Sequence, residues 1–193
     1  MEVLDSGGVP QLHELRLHNG TIYRWNRPVY DIQGGVPHLR VENRVLAAGP
    51  TVADMMANAA FYFGLVRSLA ENERPLWTQM SFGAAEENFH VAAQRGIEAQ
   101  LYWPGIGQVR ATELVLRRLL LLADEGLVAW GVAAPERDRL LGIIEQRCLT
   151  GINGAEWFVR KMAARAHLER YAALRATLQE YRENMHTNEP VHT

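Results

Sequence analysis

The sequence predicts an α+β protein in which short antiparallel strands come first and a mainly helical region follows. Before about residue 46, short runs favour strands and are separated by tight turns, which makes antiparallel pairing the default. After Thr51, apolar residues recur every three or four positions, the spacing of an amphipathic helix. We expect a single domain over residues 1–193, β-rich over 12–48 and helical over 51–186.

Three runs in the β-rich part have the composition or alternation of strands: residues 15–18, 21–25 and 38–46. Asn19-Gly20 supplies a hairpin-type turn between the first two runs. Pro28 is expected to end the second run, because proline cannot donate to a strand ladder. Gly34-Gly35 marks the turn before the third run. The predicted arrangement is a set of strands joined by short turns.

The helical part begins at Thr51, a good N-cap, with Asp54 placed to interact with the free amides of the first turn. This helix is expected to run from residue 52 to about 71. A second helix is expected over residues 84–95. Residues 100–103 then look extended and stop at a Pro-Gly pair.

The remaining helices are predicted from their start signals. Thr112 is expected to cap an apolar helix that continues through Trp130. Pro135 fits the first turn of the next helix. Asn153, followed three residues later by Glu156, is a variant of the capping box and is expected to open one long final helix.

The final helix carries a short heptad-like seam. Its members are spaced three, four, three and four residues apart: Tyr171, Leu174, Leu178, Tyr181 and Met185. Packing against its own domain is favoured over a dimer contact, because a coiled coil normally sustains more heptads than these two.

Composition and charge narrow the classes of function. The net charge of −2 and the pI near 6.4 argue against nucleic acid as a partner. The longest uncharged apolar stretch, residues 55–66, is too short to cross a bilayer, so no membrane partner is expected. The lone cysteine, Cys148, suits a cytoplasmic protein and is interpreted as a buried thiol rather than a nucleophile. The single lysine, Lys161, does not follow a glycine-rich turn, which excludes a P-loop.

The last β-prone run concentrates charge on one face. Alternation places His38, Arg40, Glu42 and Arg44 together, with apolar residues on the other side. Guanidinium groups match phosphate and carboxylate oxygens, and one carboxylate among them could hold Mg²⁺ beside a phosphate. A solvated face whose charges pair across strands is an equally good interpretation of this pattern.

Four segments resemble the C-terminal half of the glutamate–cysteine ligase family, type 2: residues 18–28, 38–46 with its Val-Glu-Asn-Arg motif, 48–52 and 186–193. In this family of carboxylate–amine ligases, ATP phosphorylates a carboxylate, and an amine then displaces the phosphate to form an amide. The resemblance implies that the strands belong to a saddle-like antiparallel sheet of the glutamine-synthetase type. It also implies ATP and Mg²⁺ as cofactors and small-molecule substrates, an amino-acid carboxylate and an amine.

The resemblance also implies roles for individual residues. Glu42 matches a position that binds Mg²⁺, and Arg44 and Arg27 are the predicted catalytic residues, contacting phosphate or substrate carboxylate. The predicted substrate- or ATP-binding residues are His18, Thr21, Arg24 and Arg40.

Family members are longer, and their additional N-terminal half carries acidic metal ligands in a Glu-x-Glu strand that this sequence lacks. The chain is therefore expected to supply only part of an active site. A second hypothesis is a non-catalytic ligand-binding or interaction protein that keeps the ligase-like fold. Because a partial sheet leaves an exposed edge, self-association is also predicted.

Overall fold

The computed structural model describes residues 2–21, 23, 25–46 and 49–193. The α+β prediction is confirmed, since an N-terminal antiparallel hairpin precedes a mainly helical region with a second strand pair. The chain divides into two compact units, residues 1–47 and 48–193. Within the described ranges, no helix has both the length and the apolar character needed to cross a bilayer.

The first unit contains two short helices and a hairpin. Its elements are α1 (Glu2–Asp5), α2 (His13–Thr21), β1 (Asn26–Gln33) and β2 (Val36–Asn43). The strands pair antiparallel and are joined by Gly34 and Gly35, whose φ angles are +58° and +80°. A two-residue hairpin loop of type I′ needs positive φ at both positions, which glycine adopts without strain. The turn predicted at this position is confirmed.

The strand and turn predicted before residue 21 are wrong, because residues 15–20 are helical and lie in α2. The alternation of Leu15 and Leu17 misled the prediction, since both side chains remain exposed and neither marks an inner sheet face. Residues 23 and 25, from the second predicted run, also lie outside any strand. Pro28 does not end a strand but pairs with Val41 inside β1, which the two-stranded hairpin tolerates because β1 is an edge strand.

The second unit is mostly helical. It contains, in order, α3 (Val52–Ala70), α4 (Phe82–Arg95), β3 (Gln100–Trp103), β4 (Gly107–Arg110), α5 (Ala111–Leu114), α6 (Leu120–Ala129), α7 (Ala134–Thr150), α8 (Gly154–Ala164) and α9 (Arg170–Thr187). A π-helical turn, Val115–Leu119, joins α5 to α6. Strands β3 and β4 form a separate antiparallel pair. The predicted helices over 52–71 and 84–95 and the extended segment over 100–103 are confirmed.

The main core lies between α3, α6 and α7. Its buried members are small on α3, small and large on α6, and large on α7: Ala53, Ala57, Ala60, Ala123, Leu127, Leu140, Leu141, Ile143 and Ile144. Helices α3 and α6 meet at Gly64 and Gly126. A Cβ built at Gly64 would lie 2.2 Å from the carbonyl oxygen of Ala123, so the two backbones approach too closely for any side chain at this point.

Helix starts were mostly predicted correctly. The Thr51 hydroxyl accepts from the N–H of Asp54, Pro135 lies in the first turn of α7, and Asn153 accepts from the N–H of Glu156. Thr112 is not an N-cap, because α5 begins one residue earlier. The N–H of Ala111 donates instead to the backbone oxygen of Ala99 at 2.8 Å, so this helix start binds the segment before β3.

The predicted long final helix is two helices. Glu169 caps α9 by accepting from the N–H groups of Tyr171 and Ala172, which restarts the helix after a break at residues 165–169. The heptad-like seam was expected to pack against its own domain, but its Tyr171 and Leu178 side chains are 67% and 57% exposed. The buried residues of α9 are Ala173 and Thr177, on the neighbouring face.

Candidate functional site

The polar face of the β1–β2 hairpin contains three of the predicted site residues, Arg27, Arg40 and Glu42, and Arg44 directly follows β2. Register pairs Arg27 with Glu42 and Asp31 with His38, and Val29 lies opposite Arg40 between them. Because side chains alternate across a strand, all these residues point to one side of the hairpin. The predicted charged face is therefore present, and β1 adds Arg27 and Asp31 to it.

Two ion-pair triads occupy this face. In the first, Glu42 Oε2 lies 2.5 Å from Arg27 Nη2 and 2.7 Å from Arg27 Nε, while Glu42 Oε1 lies 3.6 Å from Arg44 Nε. In the second, Asp31 Oδ1 accepts from Arg16 Nη2 at 3.2 Å, and Asp31 Oδ2 lies 3.6 Å from Arg40 Nη1. Each carboxylate thus lies between two arginines.

The second triad holds its carboxylate in the ionised form. The backbone N–H of Ile32 donates to Asp31, and this bond, followed by the charges of Arg16, Arg40 and His38, lowers the pKa of Asp31. Burial of the carboxyl acts in the opposite direction but does not prevail. The carboxylate therefore stays charged at neutral pH, and the two arginines share a single negative charge.

A cleft of about 260 Å³ opens between α2 and β1 beside these triads. Arg16 and Arg27 contribute to its wall together with Asn19 and Tyr30. Arg27 is anchored there, since its Nη1 donates to the carbonyl of Asn19 at 2.7 Å and its side chain is largely buried. The cleft is large enough to hold a small anion together with solvent, and guanidinium groups form part of its wall.

The other predicted binding residues behave differently. His18 and Thr21 lie on α2, where the Thr21 hydroxyl donates to the carbonyl of His18 at 2.8 Å and both residues are exposed. Neither contributes to the cleft wall. Arg24 falls outside the described residues. Arg40 is on the polar face, where its Nη1 also lies 2.7 Å from a ring nitrogen of His38.

Glu42 by itself does not make up a magnesium site. Both of its oxygens are already paired with arginines, which compete with any metal ion for the carboxylate. Across the described part of the chain, no group of three His, Cys, Asp or Glu side chains is arranged to hold a metal. Mg²⁺ prefers one or two carboxylates plus phosphate oxygens and water. The metal role of Glu42 stays a prediction that needs ligands from elsewhere.

Asp31 is the residue of the polar face that sequence reasoning missed. Once β1 is known to include Pro28, alternation from Arg27 leads directly to Val29 and Asp31, so the signal was present but hidden by the proline. The contribution of Arg16 could not be found this way, because that residue reaches the face from a helix rather than from a strand.

The opposite face of the hairpin is apolar and largely open. Leu39 is 80% and Val41 66% exposed, and they lie opposite Tyr30 and Pro28 in the register. Tyr30 is held by its hydroxyl, which donates to the carbonyl of Pro10 at 2.6 Å. An isolated two-stranded hairpin with an open apolar face is marginally stable in water, which makes this face a candidate contact surface.

The second unit contains a buried polar network that the sequence did not reveal. Asp54 is fully buried, and its Oδ1 lies 2.6 Å from Arg147 Nη2. The carboxylate also accepts from the Thr51 hydroxyl and from the N–H of Val191, which ties the last residues of the chain to α3. Asn188 completes this attachment by accepting from the N–H of Ala53.

Helix α4 packs against strand β3. Asn88 exchanges two hydrogen bonds with the backbone of Tyr102, donating to its carbonyl at 2.8 Å and accepting from its N–H at 2.7 Å. These bonds attach α4 to strand β3.

Comparison with known proteins adds no relative, since no family model, no curated protein and no solved structure matches this chain. Membership of the glutamate–cysteine ligase family therefore stays a prediction from the sequence segments.

Proposed function

We propose that the polar face of the hairpin binds an anionic substrate, as part of the active site of an ATP-dependent carboxylate–amine ligase. One observation carries the proposal. Four arginines, Arg16, Arg27, Arg40 and Arg44, share the two carboxylates of Asp31 and Glu42. The face therefore has an excess of two positive charges, which a phosphate group or a second carboxylate would neutralise.

The arginines suit the chemistry of an acyl phosphate. Phosphoryl transfer depends mainly on positioning the reactants and on neutralising the charge of the transferred group. Arg27, anchored by its bonds to Glu42 and Asn19, is preorganised to donate to phosphate or carboxylate oxygens at the cleft. Arg44 and Arg40 are more exposed and can turn toward a ligand without losing a buried contact.

The proposed ligase would be completed by groups that the described residues do not provide. The acidic metal ligands expected for Mg²⁺–ATP would come from a separate segment or from a partner chain. The proposed substrates are small molecules, an amino-acid carboxylate and an amine. We place the reaction in the cytoplasm, where ATP is available and the lone thiol of Cys148 would stay reduced.

The second candidate is a non-catalytic ligand-binding or interaction protein with the same fold. The exposed apolar face at Leu39 and Val41 favours it, because such a face is usually covered by a partner.

Light scattering across a range of concentrations tests the predicted self-association. A mass that rises with concentration supports it, and a constant monomeric mass contradicts it.

The first experiment is calorimetric titration of the chain with pyrophosphate and with a non-hydrolysable ATP analogue, with and without Mg²⁺. We expect Arg27→Gln to weaken binding at least tenfold, because a hydrogen bond to a charged group contributes about 1.5–3 kcal/mol. Arg139→Gln is the matched control, since Arg139 is an exposed helical arginine paired with Glu136 in the other unit. Equal binding by both variants would contradict the proposed site.

Glu42→Gln separates the two roles open to this carboxylate. If Glu42 only competes with the ligand for Arg27 and Arg44, its neutralisation strengthens anion binding without Mg²⁺. If Glu42 holds the metal, the same change removes any increase in affinity that Mg²⁺ confers. Failure of the wild-type chain to bind either ligand would mean that it has no preformed half-site.

A further inference from the structure

A cavity in the second unit is lined by residues of that unit alone. Its volume is about 500 Å³, within the range of small-molecule sites. Five segments converge on it: the start of α3, the loop before α8, α8 itself, the end of α9 and the last residues of the chain. A concave site built from several segments is the usual form of a ligand pocket.

The wall of this cavity is mainly aromatic and apolar. Trp157 and Tyr181 are half-buried, with ring centroids 5.9 Å apart in an edge-to-face arrangement. Ile152, Met185 and Val191 add aliphatic surface around them. Such a wall favours a flat apolar ligand body, because aromatic rings pack edge-to-face or offset against one another.

The two cations on the wall are not equivalent. Lys161 Nζ lies 2.5 Å from Glu180 Oε1 and 5.5 Å from the Trp157 ring centroid. Hydrogen bonds from Lys161 and then Arg165 lower the pKa of Glu180, so this carboxylate is ionised and is shared between the lysine and Arg165. Lys161 is therefore held at Glu180, beside the Trp157 ring.

Arg160 is the cation available to a ligand. Its Nε donates to Glu156 at 2.7 Å, but the two side chains are 52% and 33% exposed, so water screens the pair. Its Nη2 donates to the carbonyl of Gly151 at 3.5 Å, and within the described residues its Nη1 makes no hydrogen bond. Glu189 also lies on the wall and would oppose an anion. The preferred charge of the ligand therefore depends on whether the positive charge of Arg160 or the negative charge of Glu189 has the larger effect in the cavity.

We propose that this cavity binds a small aromatic carboxylate, with its ring against Trp157 and Tyr181 and its carboxylate at Arg160. Two arguments favour the anion. Arg160 keeps its Nη1 to donate to a carboxylate, and Lys161 and Arg165 together exceed the charge of Glu180 by one, which offsets Glu189. The aromatic ring of the ligand supplies most of the contact area, and the ion pair with Arg160 favours a negatively charged ligand over a neutral one.

Three ligands with the same ring and different charge test the proposal: indole-3-acetate, indole-3-acetamide and tryptamine. The readout is the indole N–H signal of Trp157 in ¹H–¹⁵N spectra of the full chain, assigned by its loss in Trp157→Phe. We expect indole-3-acetate to shift this signal while the exposed Trp77 and Trp130 signals stay in place. Its affinity should exceed that of the neutral amide by about two- to fivefold, the range of a screened ion pair.

Arg160→Gln should remove the difference between the acid and the amide while both still bind. Arg139→Gln, which alters an exposed helical ion pair outside the cavity, should preserve it. Tighter binding of tryptamine than of the acid would mean that Glu189 dominates and would overturn the proposed ligand class. An unmoved Trp157 signal at millimolar ligand would overturn the site itself.

Discussion

The ion pair between Asp54 and Arg147 makes a strong prediction about the second unit. Asp54 is fully buried and the Arg147 side chain is only 11% exposed. Arg147 also donates to the Asn58 side chain at 2.6 Å and to the Asp54 carbonyl at 3.2 Å. Arg147→Met therefore removes one charge of a buried pair and leaves the Asp54 carboxylate without its cation.

We expect Arg147→Met to lower the free energy of unfolding by about 3–5 kcal/mol, the cost of an uncompensated buried charge. Domains of this size have a total stability of about 5–15 kcal/mol, so the variant should fold but with a much smaller margin. With a urea m-value of about 2 kcal/mol per M, the midpoint should fall by about 2 M. Tryptophan fluorescence and circular dichroism in urea measure it.

Two further variants show whether burial of the charge is the cause. Arg139→Met lies in the same helix and breaks the exposed Glu136 pair, so it should change stability by less than about 0.5 kcal/mol. The double variant Asp54→Asn with Arg147→Met removes both charges and should be more stable than Arg147→Met alone. A loss below about 1 kcal/mol for Arg147→Met, or a double variant less stable than this single one, would refute the reasoning.

Three other predictions concern Gly64, Cys148 and His192. Gly64→Ala should lower the free energy of unfolding, measured in urea, by several kcal/mol, because its Cβ would meet the Ala123 carbonyl. Gly142→Ala, with open space around it, should instead stabilise α7 by about 0.5–1 kcal/mol. Equal effects of the two changes would contradict the close approach of the helices at Gly64. Burial raises the pKa of Cys148 to about 11, so only about one thiol in a thousand is ionised at pH 8. Alkylation of Cys148 should therefore be slow until urea unfolds the chain. Fast alkylation of the folded chain would contradict a buried, protonated thiol. Burial and then the charge of Arg147 lower the pKa of His192 from 6.5, against a smaller opposing effect of Asp54. The unfolded state then binds more protons just below pH 6.5, so stability should fall as the pH drops through this value, and His192→Asn should reduce the slope.

Local signals of the sequence predicted the helix starts well. Thr51 and Asn153 cap their helices as expected, because an N-cap bond joins residues three apart and needs no distant partner. The glycine turn of the hairpin was predictable for the same reason. Residues 15–18 were wrongly predicted, since four residues are too few to distinguish alternation from one turn of an irregular helix.

The sequence by itself determined that arginines and Glu42 share one face of a strand, because side-chain alternation is a property of the extended backbone. Only the tertiary structure decided which charges meet there. Arg16 reaches Asp31 from a helix fifteen residues earlier in the chain, and no periodicity relates the two. The same holds for Asp54 and Arg147, 93 residues apart, whose pairing follows from the packing of α3 against α7. Long-range pairs depend on how elements pack, and that information is spread over the whole core rather than carried by the paired residues.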